Sequence, residues 1–216
     1  MILSRGRGYL FIHISKTGGT ALATVLEARA LKDDILVGDT PKARARRGRM
    51  KALQTSGRLW KHSTLADLEG LVGAEEAAGL FTFTLVRNPW DRLVSYYHWL
   101  QAQTFSHPSV AQAKAMSFDA FLLSPQMSGS IAAWPYGRHL QDRSGTENCR
   151  LFIRLENFAQ DVLPLENHLG FGLSPLPHLN VSRRERDYRP YYSTAGRQRV
   201  AEICAEDITR FNYHFE

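Results

Sequence analysis

Cysteine is nearly absent from this sequence: only Cys149 and Cys204 occur in 216 residues. Two thiols cannot build a disulfide scaffold or a cysteine-based zinc site. No window approaches the ~20 apolar residues that a membrane-spanning helix needs. The start Met1-Ile2-Leu3-Ser4-Arg5 has no signal-peptide apolar core, because the run over residues 9–14 is short and leads straight into Ser15-Lys16. Lysine is scarce, six against 21 arginines. Arginine forks suit phosphate and sulfate oxygens, although a GC-rich genome gives the same skew. What is present is ordinary for a globular chain: 44% hydrophobic and 22% charged residues. Collagen, coiled coil, secreted mini-protein and wholly disordered chain are excluded. The expectation is a soluble, cytoplasmic protein of one domain, residues 1–216.

The formal net charge is +6, from 27 basic and 21 acidic residues. Residues 42–51, KARARRGRMK, hold six bases and no acid. The remainder therefore carries 21 of each sign, and the excess belongs to this one segment. It reads as a solvated, mobile stretch within residues 40–57, or as a contact for an anionic acceptor.

Tyr9-Leu10-Phe11-Ile12-His13-Ile14 is almost wholly apolar and ends in a glycine turn, the pattern of a buried strand. A helix is expected over 20–30. Ile35 to Val37 and Leu151-Phe152-Ile153 read as short strands, and Leu80-Phe81-Thr82-Phe83-Thr84-Leu85-Val86 as a strong one. Leu59-Trp60-Lys61-His62 looks extended. Thr64 and Asp67 have capping-box spacing before a helix over 65–72. Asn88 and Pro89 suit a helix start, with the helix running to about Gln103. Residues 103–146 look irregular apart from a helix near 117–123, and suit acceptor binding. A helix over 158–169 bends at Pro164, and another closes the chain over 194–211. Strands alternating with helices predict an α/β fold, a three-layer αβα arrangement around a mainly parallel sheet. Ligands in such folds bind beyond the carboxyl ends of the strands.

Two motifs lie at those ends. Ser15-Lys16-Thr17-Gly18-Gly19-Thr20 joins the first strong strand to a helix. Glycines there permit a tight turn, the helix start offers N–H groups, and Lys16 adds a full positive charge: a cradle for phosphate. A Gly-Gly turn can also be plain packing. The loop is not a Walker A motif, because the lysine precedes the glycines. No Asp stands after the second strong strand to hold magnesium; Arg87 stands there. In the second motif, Asn88, Arg92, Ser95 and Trp99 share a helix face, so that Arg87 and Ser95 can converge on a second anion. The plainer alternative pairs Arg92 with Asp91 or a backbone carbonyl and puts Tyr96, Tyr97 and Trp99 in the core; it is the better reading for the aromatics and the worse one for Arg87.

Lys16-Thr17-Gly18-Gly19-Thr20 followed by Val86-Arg87-Asn88-Pro89-x-x-Arg92-x-x-Ser95-x-Tyr97 resembles the two signatures of PAPS-dependent sulfotransferases, closest to the carbohydrate-type family with its small bacterial members. PAPS is 3′-phosphoadenosine 5′-phosphosulfate. Arg154-Leu155-Glu156-Asn157-Phe158 and the tail from Asn180, Ser182 and Arg183 to Phe215 resemble weaker blocks of that family. The resemblance implies a P-loop-like sulfotransferase fold and sulfuryl transfer from PAPS to a hydroxyl or amine, with no metal. It implies that Lys16, Thr17, Gly18, Gly19, Thr20 and Ala21 hold the 5′-phosphosulfate, that Arg87 and Ser95 hold the 3′-phosphate, and that Arg183 closes over the cofactor. Trp60 or a neighbouring aromatic is a candidate for stacking on adenine. His62 is the first choice for general base, since a neutral imidazole suits pH 7; relatives also use Glu, and Glu156 is next in line, or else pairs with Arg154. His13 reads as core. Glycan, lipid, phenol and peptide acceptors stay open, as does oligomeric state. A nucleotide kinase-like phosphotransferase and a non-catalytic nucleotide- or nucleic-acid-binding module are the alternatives; the missing Walker positions oppose the first. No recognised nucleic-acid motif supports the second.

Overall fold

The most apolar run of the sequence becomes the centre of a sheet. The computed structural model describes residues 1–177, 179 and 184–216. In chain order its elements are β1 (Ile2–Ser4), β2 (Tyr9–Ile12), α1 (Gly19–Ala28), β3 (Ile35–Leu36), α2 (Pro41–Ala45), α3 (Ala74–Gly79), β4 (Phe81–Val86), α4 (Pro89–Gln101), α5 (Pro108–Ala115), α6 (Phe118–Leu123), α7 (Pro125–Ala132), β5 (Leu151–Arg154), α8 (Phe158–Asp161), α9 (Leu163–Leu169), α10 (Thr194–Ile203) and α11 (Ala205–Phe211). The chain groups into two compact units, residues 1–86 with 136–179, and residues 87–135 with 180–216.

The first unit is α/β, a five-stranded sheet flanked by helices and ordered β3-β1-β2-β4-β5. β2, β4 and β5 pair in parallel, while β1 is antiparallel to both of its neighbours. Four strands thus share one direction and β1 alone runs against them. Nothing in the sequence pattern signals β1, because three residues carry too little periodicity. A tight turn joins it to β2, with Gly8 at φ 64 and its N–H on the Arg5 carbonyl at 3.2 Å.

β2 is buried at every position, as a strand covered on both faces must be. Phe11 stands opposite Phe83 in register, their rings 5.3 Å apart. Leu22 and Leu26 of α1, and Val162, Leu165 and Leu169 of the α8–α9 stretch, join the same core. Each such side chain contributes about 1.5–3 kcal/mol by leaving water. Ile12 stands beside Thr84 and Val86 beside Arg154, so β2, β4 and β5 release the chain along one edge. The Thr84 hydroxyl donates to the Ile12 carbonyl at 2.7 Å and fastens that edge.

Several sequence expectations change here. Residues 60–63 form a turn, not an extended segment: Ser63 N–H reaches the Trp60 carbonyl at 3.1 Å. The capping box is formed, Thr64 N–H to Asp67 at 2.8 Å and Asp67 N–H to Thr64 at 3.2 Å. The helix behind it stops after one 3-10 turn, Ala66–Leu68, because the chain turns at Gly70 with φ 91. The stretch over 158–169 divides at Val162, just ahead of Pro164, and the closing helix divides at Cys204. The basic segment is folded: Arg46 donates to the Leu31 carbonyl at 2.8 Å, and α2 is followed by a 3-10 stretch, Arg47–Ala52.

The second unit is helical. Asn88 caps α4 by accepting from Trp90 N–H at 3.0 Å, and its amide donates to the His214 carbonyl at 2.8 Å. Within residues 103–146 the helix expected near 117–123 is present as α6, and two further helices, α5 and α7, stand where irregular chain is expected. Their prolines open helices: His107 and Ser124 are N-caps, with Pro108 and Pro125 at the first helical position. Tyr97 is core, 5.3 Å from the rings of Phe118 and Phe121. Trp99 lies at the surface, stacked with Tyr96. Among the described residues no helix is long and apolar enough to cross a membrane.

Candidate functional site

The loop after β2 is shaped by two backbone positions with positive φ. Lys16 has φ 67 and Gly18 has φ 88. The left-handed region costs a residue with a side chain roughly 1–2 kcal/mol, and the surrounding turn holds Lys16 there. Thr17 is fully buried, its hydroxyl donating to the Ile14 carbonyl at 2.8 Å. That hydroxyl fastens the turn, so Thr17 can serve an anion through its backbone.

Gly18 is the N-cap of α1, and no side chain caps the helix. Ala21 N–H returns to the Gly18 carbonyl at 3.0 Å, so the N–H groups of Gly19 and Thr20 stand ahead of the first internal bond. Both glycines are required by contact as well. A Cβ on Gly18 would lie 2.8 Å from Leu155, and one on Gly19 would lie 2.1 Å from Cδ2 of His13. The open helix start, its partial positive charge and the presence of Lys16 are the chemistry that suits an anion.

His62 lies beside this loop, in the same unit. Its Nδ1 is 2.7 Å from the His13 carbonyl, and its ring meets the His13 ring edge-on at 4.6 Å. A carbonyl only accepts, so Nδ1 carries the proton and the lone pair sits on Nε2. Burial, the leading cause, pulls His62 down from 6.5 to about 4, with Lys61 and the Met1 amino group adding to it and the His13 carbonyl and Asp39 opposing. The imidazole is therefore neutral at pH 7. The turn that presents it is clamped by buried Ser63, which accepts from Trp60 N–H at 2.9 Å. Trp60 meets His62 edge-on at 5.0 Å and carries Arg58 over its face. Lys61 pairs with Asp39 at 2.6 Å.

Arg87 follows the last residue of β4. It is paired with Asp91 at 2.6 Å, one helical turn away. Asp91 also takes Arg184, whose side chain is 6% exposed. Arg92 is one sequence candidate for that carboxylate; the structure gives it Arg87 and Arg184. Two arginines on one carboxylate leave a net positive charge at the start of α4. Ser95 is buried on α4. Arg154 pairs with Asp161 at 2.7 Å, and Glu156 is exposed. Arg183 lies outside the described residues, with Asn180 and Ser182.

Three contacts escape the sequence reading. Arg87 and Asp91 stand four apart, a spacing that signals their pairing. Leu155 against Gly18 is a long-range contact with no local signal. His13 is core, as its strand position implies, but it also touches both His62 and Gly19.

A family model described as "Sulfotransferase family" matches residues 1–214. No curated protein and no solved structure matches this chain.

Proposed function

The chain belongs to the sulfotransferase family, and we propose that it moves the sulfuryl group of PAPS to a hydroxyl or amine of an acceptor. The observation that carries this reading is the open start of α1 behind a left-handed Lys16. In it, the backbone N–H groups of Gly18, Gly19 and Thr20 hold the 5′-phosphosulfate, with Thr17 and Ala21 shaping the turn. Lys16 stabilises charge on the departing phosphate oxygen. Arg87 and Ser95 hold the 3′-phosphate, the group that separates PAPS from ATP, and Arg183 closes over the nucleotide. The fold is then a single three-layer, P-loop-like sulfotransferase domain.

His62 is the base of this reaction. The acceptor oxygen forms a bond to sulfur as the bond from sulfur to the phosphate oxygen breaks. The acceptor proton passes to Nε2 of His62, while Nδ1–H stays on the His13 carbonyl. Adenosine 3′,5′-bisphosphate leaves. Charge builds only on the phosphate oxygen and the imidazole, so protein cations suffice and magnesium is not part of the scheme. The acceptor is a glycan or another small or lipid-linked alcohol.

Calorimetry tests the nucleotide assignment. Adenosine 3′,5′-bisphosphate binds at least about tenfold more tightly than AMP or ADP, a difference of ~1.4 kcal/mol. Equal affinities would remove the 3′-phosphate site. Lys16→Ala lowers transfer of labelled sulfate by about 10²–10³-fold. His62→Ala abolishes transfer while leaving nucleotide binding intact, and normal turnover in it would move the base to a carboxylate.

A further inference from the structure

We propose that His13 is a positioning residue that holds His62 and the anion-binding loop in one fixed relation, an inference that rests on reading His62 as the base. Three contacts on three sides of one residue carry it. The His13 carbonyl takes Nδ1–H of His62 at 2.7 Å and so selects the tautomer. The His13 ring meets the His62 ring edge-on at 4.6 Å. The Cδ2–Nε2 edge of the same ring fills the space that a Gly19 Cβ would take, at 2.1 and 2.4 Å.

His13 is itself held. It sits one residue past β2, is 8% exposed, and stacks on Phe11 at 5.8 Å with the planes 17° apart. Phe11 is stacked in turn on Phe83 of the neighbouring strand. The ring is thus fixed to the sheet, and it transfers that fixity to the base on one side and to the start of α1 on the other. His13 also lines a small cavity of about 20 Å³ with Thr20, Glu27, Asp39 and Lys61, enough for one water. Burial, with His62, the Met1 amino group and Lys61, pulls His13 well below 6.5, so the ring stays neutral while the loop holds an anion. A base and an anion site must keep their spacing to a fraction of an ångström for in-line transfer. One flat ring wedged between them does this without touching either substrate.

Two measurements that need no turnover test the inference, and a transfer assay adds a third. In the first, the titration of His62 is followed by its ring proton resonances. The groups facing His62 are Lys61, Asp39, the Met1 amino group and the His13 carbonyl. Replacing the His13 ring by alanine lets water reach the imidazole, and its midpoint rises from about 4 toward 6.5; His13→Phe keeps the flat ring and the low midpoint. In the second, thermal unfolding is measured for Gly19→Ala, His13→Ala and the double variant. The alanine at position 19 is strongly destabilising beside His13 and much less so when His13 is also alanine, a coupling of at least about fivefold in the unfolding equilibrium. In transfer assays His13→Ala lowers kcat by roughly 10- to 100-fold, and His13→Phe restores most of it. Should His13→Ala fail to fold, His13→Leu takes its place, keeping volume without the flat ring. An unmoved His62 midpoint, or strictly additive effects at 13 and 19, overturns the inference. Undiminished turnover in His62→Ala overturns the base reading instead, whatever the His13 variants do.

Discussion

Two histidines held neutral by burial give this fold a definite response to acid. The folded chain binds a proton on His62 only near pH 4, whereas the unfolded chain binds one near 6.5. The stability that depends on neutral His62 is therefore complete above about pH 6.5 and is lost as pH falls toward 4; His13 acts in the same direction. Denaturant unfolding from pH 7 to 4 shows this as a falling midpoint, and His62→Phe flattens the fall. A wild-type midpoint constant over that range would contradict it. Asp91 is the other residue on which much converges. Asp91→Ala leaves the little-exposed Arg87 and Arg184 without their shared carboxylate and lowers unfolding free energy by about 3 kcal/mol, measured by urea titration. Lys16 and Arg87 were legible as residue types beyond strand ends, whereas His62 stands in the turn over 60–63 and not at a strand end. The Gly19–His13 contact was not, because six residues of separation across a turn carry no periodic signal.

Secondary-structure elements were legible where their caps and apolar patterns agreed. β2, β4, α1 and α4 fall within a few residues of expectation, since a run such as Phe81–Val86 has only one sensible conformation. Over residues 103–146 the expectation of irregular chain held for neither α5 nor α7: Pro108 and Pro125 each open a helix behind a capping side chain. A proline ends the element before it and starts the one after it, and composition alone does not separate these roles. Ser124 is the cheapest test: its hydroxyl lies 3.4 Å from Met127 N–H and 2.9 Å from the Phe121 carbonyl. Ser124→Ala costs about 1 kcal/mol in thermal unfolding, while Ser124→Asn stays near wild type.

For the whole molecule, charge is local and the family match is global. The match over residues 1–214 covers both units, although the two signatures divide between them, Lys16 in one and Ser95 in the other. The +6 belongs to residues 42–51, and Arg44, Arg47 and Lys51 there are exposed. Replacing these three by glutamine brings the formal charge to +3; solubility at neutral pH falls, and stability changes by no more than about 0.5 kcal/mol. The reversed strand β1 has a different consequence. β1 and β2 are joined by a turn within the first twelve residues, whereas β2 pairs with β4 across about seventy residues and β4 with β5 across about as many again. Closing the short turn is quick and closing the long loops is slow. A nascent chain therefore carries a finished hairpin whose outer edge, Tyr9-Leu10-Phe11-Ile12, has no partner until Val86 has been synthesised. That edge is uncharged, β-prone and free of proline, so this is the interval in which the chain is open to aggregation and in which a chaperone would act.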